Sequence, residues 1–368
     1  MCITPYTHEV TFSYFNSIRK FQATVLFMVA MLFSSCVVGE TSFNGFVSLF
    51  AGKVTEGNEF LADYPEVGIY DNDWSFSPDS TLGAQFSSYI TDDFSLVTQI
   101  VVKGASDIDA DIDWLYGNYH VSSELSVQFG RKRLPLYYYS DYFDLGYAYY
   151  WVRPPADLYT WQITNYNGIS LLYEKNLGEM DATINLYYGN EESNNNDLLS
   201  LLFGVPVDEC WKDMIGIVGA VSDERVDIRL SYMHGLVDRS VNGVAIITDS
   251  EQEFLGLSIN LTLGQLQILS ELNNYKRPDN EVNINSHMLS LAYQIGDFTP
   301  HLTRSALKQD VNTGGNDERH HTTTVGVRWD FYTNIAFKIQ YDKVVDEGII
   351  VPIKGDSNSI SLGLDYVF

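Results

Sequence analysis

Polar side chains, many of them charged, alternate with apolar ones in several segments of the sequence. In residues 335–342, Lys338 and Asp342 alternate with isoleucine and aromatic side chains, and Arg328 holds a similar position in residues 325–331. Neighbouring side chains of a β-strand point to opposite faces, so this spacing puts the charges on one face and the apolar side chains on the other. A face of this kind either keeps a wet surface solvated or presents a ladder of fixed charges that attracts and orients ions.

A second group of charges lies in residues 133–167, the longest segment without an alternating pattern, which is rich in Tyr and Trp. Long loops are usually functional, and one so aromatic is expected to pack on a surface. We expect its carboxylates to face basic side chains of the strands. The candidates are Asp141, Asp144 and Asp157 on the loop, and the basic residues that they are expected to face are Lys103, Arg131, Lys132, Arg133, Arg229, Arg328 and Lys338. Arg153, just before Pro154 and Pro155, either joins this group or anchors the loop.

The histidines do not form a recognisable catalytic or metal-binding pattern. His320 and His321 are adjacent, so on a strand they point to opposite faces, and a solvated strand end explains them better than a shared metal ion. The sequence has no local Ser/His/Asp motif, no phosphate-binding or dinucleotide motif and no Cys/His zinc spacing. We therefore expect no enzymatic activity, no metal site and no cofactor.

The net charge of −26 disfavours a nucleic-acid partner, because phosphate binding needs a basic surface. Acidic residues cluster in residues 56–73. Carboxylate oxygens are calcium ligands, but this segment lacks the alternating Asp register of a calcium loop.

Residues 1–39 have the order of a secretory signal peptide. Arg19 and Lys20 precede the apolar residues 21–33, and small residues follow. The apolar run is too short for a membrane-spanning helix. We expect cleavage after Gly39, which leaves residues 40–368 as the exported chain, and a lipoprotein site at Cys36 is the alternative.

Alternating segments recur through the rest of the chain, and we count sixteen, from residues 42–52 to residues 358–368. Connections of a few residues alternate with longer polar ones, the longer ones being 53–79, 105–108, 133–167, 190–212, 236–251, 276–282, 308–319 and 345–357. Short turns alternating with long loops are typical of an outer-membrane barrel. The sequence predicts an all-β, sixteen-stranded antiparallel transmembrane β-barrel with short periplasmic turns and long extracellular loops. Sixteen strands leave room for an aqueous channel.

The last strand supports the same prediction. Its alternate residues Ile360, Leu362, Leu364, Tyr366 and Phe368 are apolar or aromatic, and most residues between them are small or polar. A membrane barrel has no free edge, so this strand is expected to close against the first, with its apolar face toward lipid. We expect polar side chains to face the lumen on nearly every strand.

Residues 41–368 resemble the Gram-negative outer-membrane porins, in particular a porin-like family of marine gammaproteobacteria. The resemblance is carried by the strand layout, by GRKRLP (130–135), by SDYFDLGYAYYWVRPP (140–155) and by the terminal YVF. It implies that loop 133–167 folds inward as the constriction, that the protein is a homotrimer, and that it conducts ions and small hydrophilic solutes by passive diffusion. The loop departs from the acidic motif of enterobacterial porins, so their constriction residues are not transferred.

An outer-membrane location leads to expectations for two further segments and leaves one alternative function. The acidic first loop is expected to bridge to anionic lipopolysaccharide through divalent cations. The apolar segment 197–206 is expected to be a short helix at the barrel rim or at a subunit interface, or else a buried plug. The alternative to a channel is a non-conducting outer-membrane barrel with a surface-binding or structural role, in which loop 133–167 closes the lumen.

Overall fold

The computed structural model describes residues 40–106, 108–280, 282–311, 318–348 and 355–368. The predicted signal peptide and the alternative site at Cys36 lie outside the described residues. Within the described ranges, sixteen antiparallel strands form one closed barrel, and each pairs with its neighbours in chain order. The predicted fold class is confirmed.

The strands are numbered along the chain. They are β1 (Thr41–Gly57), β2 (Phe60–Asp63), β3 (Gly68–Tyr70), β4 (Thr81–Tyr89), β5 (Phe94–Lys103), β6 (Ala110–His120), β7 (Leu125–Arg133), β8 (Asn165–Asn176), β9 (Asp181–Ser193), β10 (Val207–Ser222), β11 (Val226–Val241), β12 (Val244–Leu263), β13 (Leu266–Arg277), β14 (Val282–Tyr293), β15 (Phe298–Val311), β16 (Glu318–Tyr332), β17 (Ile335–Asp346) and β18 (Ser357–Val367). Strands β2 and β3 form a separate hairpin within the first loop, and the others form the barrel.

The helices are short. One α-helix, α1 (Asp197–Phe203), and three 3₁₀ turns, Ser140–Tyr142, Gly146–Ala148 and Pro278–Asn280, occur among the described residues. The side chain of Asn196 caps α1 by accepting a hydrogen bond from the Leu199 amide, and Gly204 ends it in the left-handed conformation. The predicted short helix in the segment 197–206 is therefore present. Among the described residues, no helix has the length and apolar character needed to cross a membrane.

The barrel closes through the last residue of the chain. Strand β18 pairs with β1, and Phe368 exchanges two backbone hydrogen bonds of 2.8 and 2.9 Å with Gly45. Leu364 and Tyr366 are exposed on the outer face, whereas Asp365 is wholly buried inside. The predicted closure and the predicted face of the last strand are both confirmed.

Connections of two to four residues join β4–β5, β6–β7, β8–β9, β10–β11, β12–β13, β14–β15 and β16–β17, and they all lie at one end of the barrel, called here the short-turn end. The opposite end carries the longer loops, with one difference from the prediction. Residues 236–251 are not a loop, because β11 and β12 extend to a two-residue turn at Asn242 and Gly243. Both turn residues have positive φ, 50° and 72°, which suits the tight hairpin turn favoured by Asn-Gly.

The connection between β7 and β8 enters the barrel. It comprises residues 134–164 and is called here the inner loop; Arg133 and residues 165–167 of the predicted loop belong to the strands. Its side chains pack with apolar residues that β9–β14 point inward, which corrects the expectation of a polar lumen face on nearly every strand. This aromatic core contains Leu134, Leu136, Tyr137, Tyr139, Phe143, Tyr149, Tyr150, Trp151, Leu158, Tyr159, Trp161 and Ile163 of the loop and Tyr187, Trp211, Met214, Val218, Met233, Val237, Phe254, Leu269, Tyr275, Met288 and Ala292 of the wall.

Candidate functional site

The inner loop meets the wall formed by β16–β18 through backbone carbonyl groups. Lys338, wholly buried, donates to the carbonyl oxygens of Gly146 at 2.7 Å and Trp151 at 2.6 Å. Arg328 donates to the carbonyl oxygens of Tyr147 at 2.6 Å and Tyr149 at 3.0 Å. Lysine and arginine only donate hydrogen bonds, so they satisfy loop carbonyls that have no partner strand. Lys338 and Arg328 were predicted to face carboxylates of the loop. They instead donate hydrogen bonds to the backbone of the inner loop.

Gly146 allows the close approach of loop and wall. Lys338 also pairs with Asp365 at 2.8 Å, and Asp365 accepts a 2.6 Å hydrogen bond from Ser48. A Cβ atom at position 146 would overlap the side chains of Asp365 and Ser48. Glycine is therefore needed here for space, and the loop backbone lies directly on the charged pair.

Asp157 lies in a buried pocket of donors at the long-loop end. It accepts hydrogen bonds from Ser305 at 2.5 Å and Thr322 at 3.1 Å, and its other contact is His320 Nδ1 at 2.7 Å. Burial raises the pKa of Asp157, but the neighbouring His320 and the hydrogen bonds outweigh this effect and hold the pKa below its ordinary value. Tyr64 of the first loop lies 3.1 Å from the other ring nitrogen of His320. The expectation that His320 is solvated is wrong, because this side chain faces inward and the loop covers it.

Arg153 joins the inner loop to the first loop, residues 58–80. It forms an ion pair with Asp63, a second with Asp79 at 2.8 Å, and a hydrogen bond to the Pro78 carbonyl at 3.1 Å. Burial alone would lower the pKa of Arg153, and the two carboxylates raise it. The geometry supports the anchoring role of Arg153 over a role in the charge group. Asp63 belongs to the acidic cluster predicted to face the cell surface, yet it is turned inward.

A cluster of five charges forms where the inner loop meets β5–β7. Asp144 pairs with Arg133 and lies 3.5 Å from Lys103. Arg133 also pairs with Asp113 at 2.6 Å, and Lys103 pairs with Glu66 at 2.9 Å. The structure thus brings Asp144, Arg133 and Lys103 together as the sequence predicted, and it adds two acids that the sequence analysis did not select.

The remaining predicted basic residues have other partners. Arg131 pairs with Glu191 at 2.7 Å. Lys132 donates to Gln128 and lies 5.3 Å from the centre of the Tyr116 ring. Arg229 donates to the Pro135 carbonyl at 2.9 Å, so it holds loop backbone as Lys338 and Arg328 do. None of these contacts joins Arg131, Lys132 or Arg229 to a loop carboxylate among the described residues.

A cavity of about 630 Å³ enters the barrel from the short-turn end. Asn334 and Phe368 lie at its mouth, and Asp141, Asp144 and Tyr147 of the inner loop form its inner end. On the other side of the loop, two cavities of about 20 and 40 Å³ lie against β16 and β17 within the described chain. The inner loop therefore borders a cavity of about 630 Å³ on one side and two much smaller cavities on the other.

Similarity to solved structures agrees with this architecture. OmpT of Vibrio cholerae, solved in a trimer form, is 12% identical with a TM-score of 0.58, and the match covers 89% of this chain and 99% of that chain. An anion-selective porin from Comamonas acidovorans is 14% identical with a TM-score of 0.58, covering 89% and 99%. OmpF of Salmonella typhi, in complex with daunomycin, is 12% identical with a TM-score of 0.59, covering 89% and 97%.

The chain has the fold of an outer-membrane porin. The predicted resemblance is confirmed at the level of fold, since sequence identities this low carry no further conclusion. No family model and no curated protein sequence matches the chain. What this porin fold can do chemically therefore rests on the arrangement of its own side chains.

Two groups of site residues were missed by the sequence analysis for different reasons. His320 and Thr322 lie two residues apart and share the inward face of β16, so the alternation in residues 320–331 was a signal for them. Asp63 and Asp79 lie in the irregular first loop, where no periodicity tells which side chains turn inward. No comparable sequence signal was available for those two.

Proposed function

We propose that this protein is an outer-membrane channel for passive diffusion of ions and small hydrophilic solutes. The observation that carries the proposal is the vestibule of about 630 Å³, which runs from the short-turn end to the cluster of Asp144, Arg133 and Lys103. A water-accessible space that ends on facing charges of opposite sign is the geometry of an ion-selective constriction. Catalysis is not part of the proposal.

The constriction lies between the inner loop and strands β5–β7. Asp144 supplies negative charge from the loop, and Arg133 and Lys103 supply positive charge from the wall. In the described conformation ion pairs bridge this gap. Transport therefore needs these pairs to separate, and we expect unitary conductance well below that of an unobstructed sixteen-stranded lumen.

The test is single-channel recording of the folded, mature protein in a planar bilayer, with the reversal potential measured under a salt gradient. Asp144→Asn removes the loop charge and leaves Arg133 and Lys103 facing the gap, so the reversal potential shifts toward anion selectivity. Asp92→Asn makes the same charge change at an exposed turn outside the vestibule and leaves the reversal potential unchanged. An identical shift in both variants contradicts the location of the constriction.

The second candidate is a non-conducting barrel with a surface-binding or structural role. It is favoured by the aromatic core, in which Trp151, Trp211 and Met233 are wholly buried between the loop and the wall. If wild type and Asp144→Asn both insert, remain folded and stay silent, the second candidate replaces the channel.

The proposal places the barrel in the outer membrane, with lipid against its apolar face and the short-turn end toward the periplasm. We propose a homotrimer whose contact region includes β1 and β18, and diffuse contact with lipopolysaccharide through divalent cations at the acidic loops. A trimer is supported by the trimer form of the similar OmpT. Chemical cross-linking of the native outer membrane tests the homotrimer, and recovery of the monomer alone contradicts it.

A further inference from the structure

The vestibule has a mixed lining of aromatic rings and side-chain amides. Trp114, Tyr142 and Tyr147 supply rings, and Asn44, Gln85 and Gln99 supply amides. Tyr142 is 55% exposed, so its ring is available to a solute. At about 630 Å³ the vestibule falls within the size range of small-molecule sites. A plain water conduit needs no aromatic surface, so this lining calls for a separate explanation.

Hydrogen-bonding groups of this wall lack protein partners. Within the described chain, Trp114 Nε1 and Arg133 Nη1 are buried donors without an acceptor. Unsatisfied buried donors in a native protein need a partner such as water or a ligand. Asp141 is exposed in the vestibule and takes part in no ion pair among the described residues. These two donors are themselves buried, so the groups that the wall presents to a solute are the side-chain amides, the ring faces and the carboxylate of Asp141.

These three kinds of group match one class of ligand. Sugar hydroxyls both donate and accept hydrogen bonds, as side-chain amides do. The C–H faces of a sugar ring are apolar and pack on aromatic rings, while the hydroxyl rim stays polar. We propose that the vestibule is a binding site for a neutral saccharide of one or two rings, entered from the short-turn end. The site goes beyond the proposed channel, because binding here needs no passage through the barrel.

The charge of Asp141 is expected to make the site distinguish neutral saccharides from anionic ones. The guanidinium of Arg133 is already paired with Asp113 and Asp144. The exposed charge that remains at the inner end of the vestibule is the carboxylate of Asp141. A saccharide that carries a carboxylate is repelled by Asp141, whereas a neutral one of the same size is not.

The experiment is isothermal titration calorimetry of the folded mature barrel with maltose and with glucuronosyl-(1→4)-glucose, a carboxylate analogue that keeps both rings. The detergent must be an amine oxide, since maltoside headgroups would compete for the site. Wild type is expected to bind maltose saturably at one site per barrel and to bind the carboxylate analogue about tenfold more weakly. Tyr142→Ala removes an exposed ring and is expected to weaken maltose binding about tenfold.

Two controls make the outcome decisive. Tyr332→Ala removes a tyrosine that is 70% exposed at the same end of the barrel and does not line the vestibule, so maltose binding is unchanged. Asp141→Asn is expected to bring binding of the carboxylate analogue close to that of maltose. The proposal is overturned if folded wild type gives no saturable heat with maltose, or if Tyr142→Ala and Tyr332→Ala bind alike. A silent bilayer with maltose binding retained rejects the channel and leaves this site standing.

Discussion

The inner loop has two sides that are held in different ways. Its apolar side packs in the aromatic core, where Trp161 lies between Trp211, Phe254 and Tyr275 with ring centres 4.3 to 5.5 Å apart. Its polar side is held by single directed contacts, such as Lys338 on the Gly146 carbonyl at 2.7 Å and Asp157 on Ser305 at 2.5 Å.

The two sides make different contributions: the aromatic core stabilises the inward loop, and the polar contacts fix its position. Apolar burial contributes about 25 cal/mol per Å² with little directional preference, so the aromatic core favours an inward loop in many arrangements. A buried charge accepts few arrangements, because leaving it without its partner is costly. The polar side therefore selects one arrangement among those that the apolar side permits. Both sides are needed for a loop that is at once stable and fixed in place.

The largest effect is expected from the apolar side. Trp161→Ala removes a ring that is 4% exposed and leaves a cavity in the aromatic core, which costs about 4 kcal/mol of unfolding free energy. Chemical denaturation of the folded barrel measures the loss, and protease cleavage within residues 134–164 shows where it acts. Trp74→Ala, at a tryptophan 54% exposed in the first loop, is the matched control and is expected to change little. Equal losses in the two variants contradict the role of the aromatic core.

The next effect is expected from the anchor between the two loops. Arg153→Met leaves Asp63 and Asp79 buried without their cation and costs about 3 kcal/mol. We expect faster cleavage in residues 58–80 as well as in the inner loop. Arg319→Met breaks an exposed pair with Glu347 at 3.8 Å and is expected to cost less than about 1 kcal/mol. If the first loop stays protected in Arg153→Met, Arg153 is not the link between the loops.

Lowering the pH is expected to weaken the polar side of the inner loop before its apolar side. The pKa of Asp157 is lower in the folded protein than in the unfolded chain, so this group stabilises the fold above a pH of about 4, and that contribution is lost as the pH falls through its folded pKa. Pepsin digestion as a function of pH is expected to expose residues near Asp157 before those around Trp161.

Asp157→Asn is the control for this titration, because it has no ionisable group at that position. The variant is expected to start less stable by about 2 kcal/mol and to lose the acid-dependent step assigned to Asp157. An unchanged acid-dependent step in Asp157→Asn assigns the transition to other carboxylates.

The smallest effect is expected from a single neutral hydrogen bond. Tyr150→Phe keeps the ring in the aromatic core and removes the 2.8 Å bond to Ser290, which costs about 1 kcal/mol. Denaturation compared with Tyr332→Phe, an exposed tyrosine, isolates this bond. A loss as large as that of Trp161→Ala means that the polar contacts, and not the aromatic core, supply most of the energy.

Local patterns in the sequence allowed the barrel to be predicted almost entirely. Strand number, inward and outward faces, and closure through Phe368 all depend on a period of two within short segments. The predicted loop at 236–251 is wrong, and Asn242-Gly243, flanked by Val241 and Val244, is a strong hairpin signal that indicates two strands there instead. Alternation also gave the inward positions of Lys338 and Arg328.

Sequence patterns are enough to predict a sixteen-stranded barrel with an aromatic loop after β7. The contacts of each inward charge depend on how distant parts of the chain meet in the folded protein. Lys338 meets Gly146 across 192 positions of sequence, and Asp157 meets Ser305 across 148. Alternation tells which face a side chain occupies, but not its height or its angle around the lumen. Those depend on the stagger of all sixteen strands and on the path of the inner loop, which the packing of the whole aromatic core fixes.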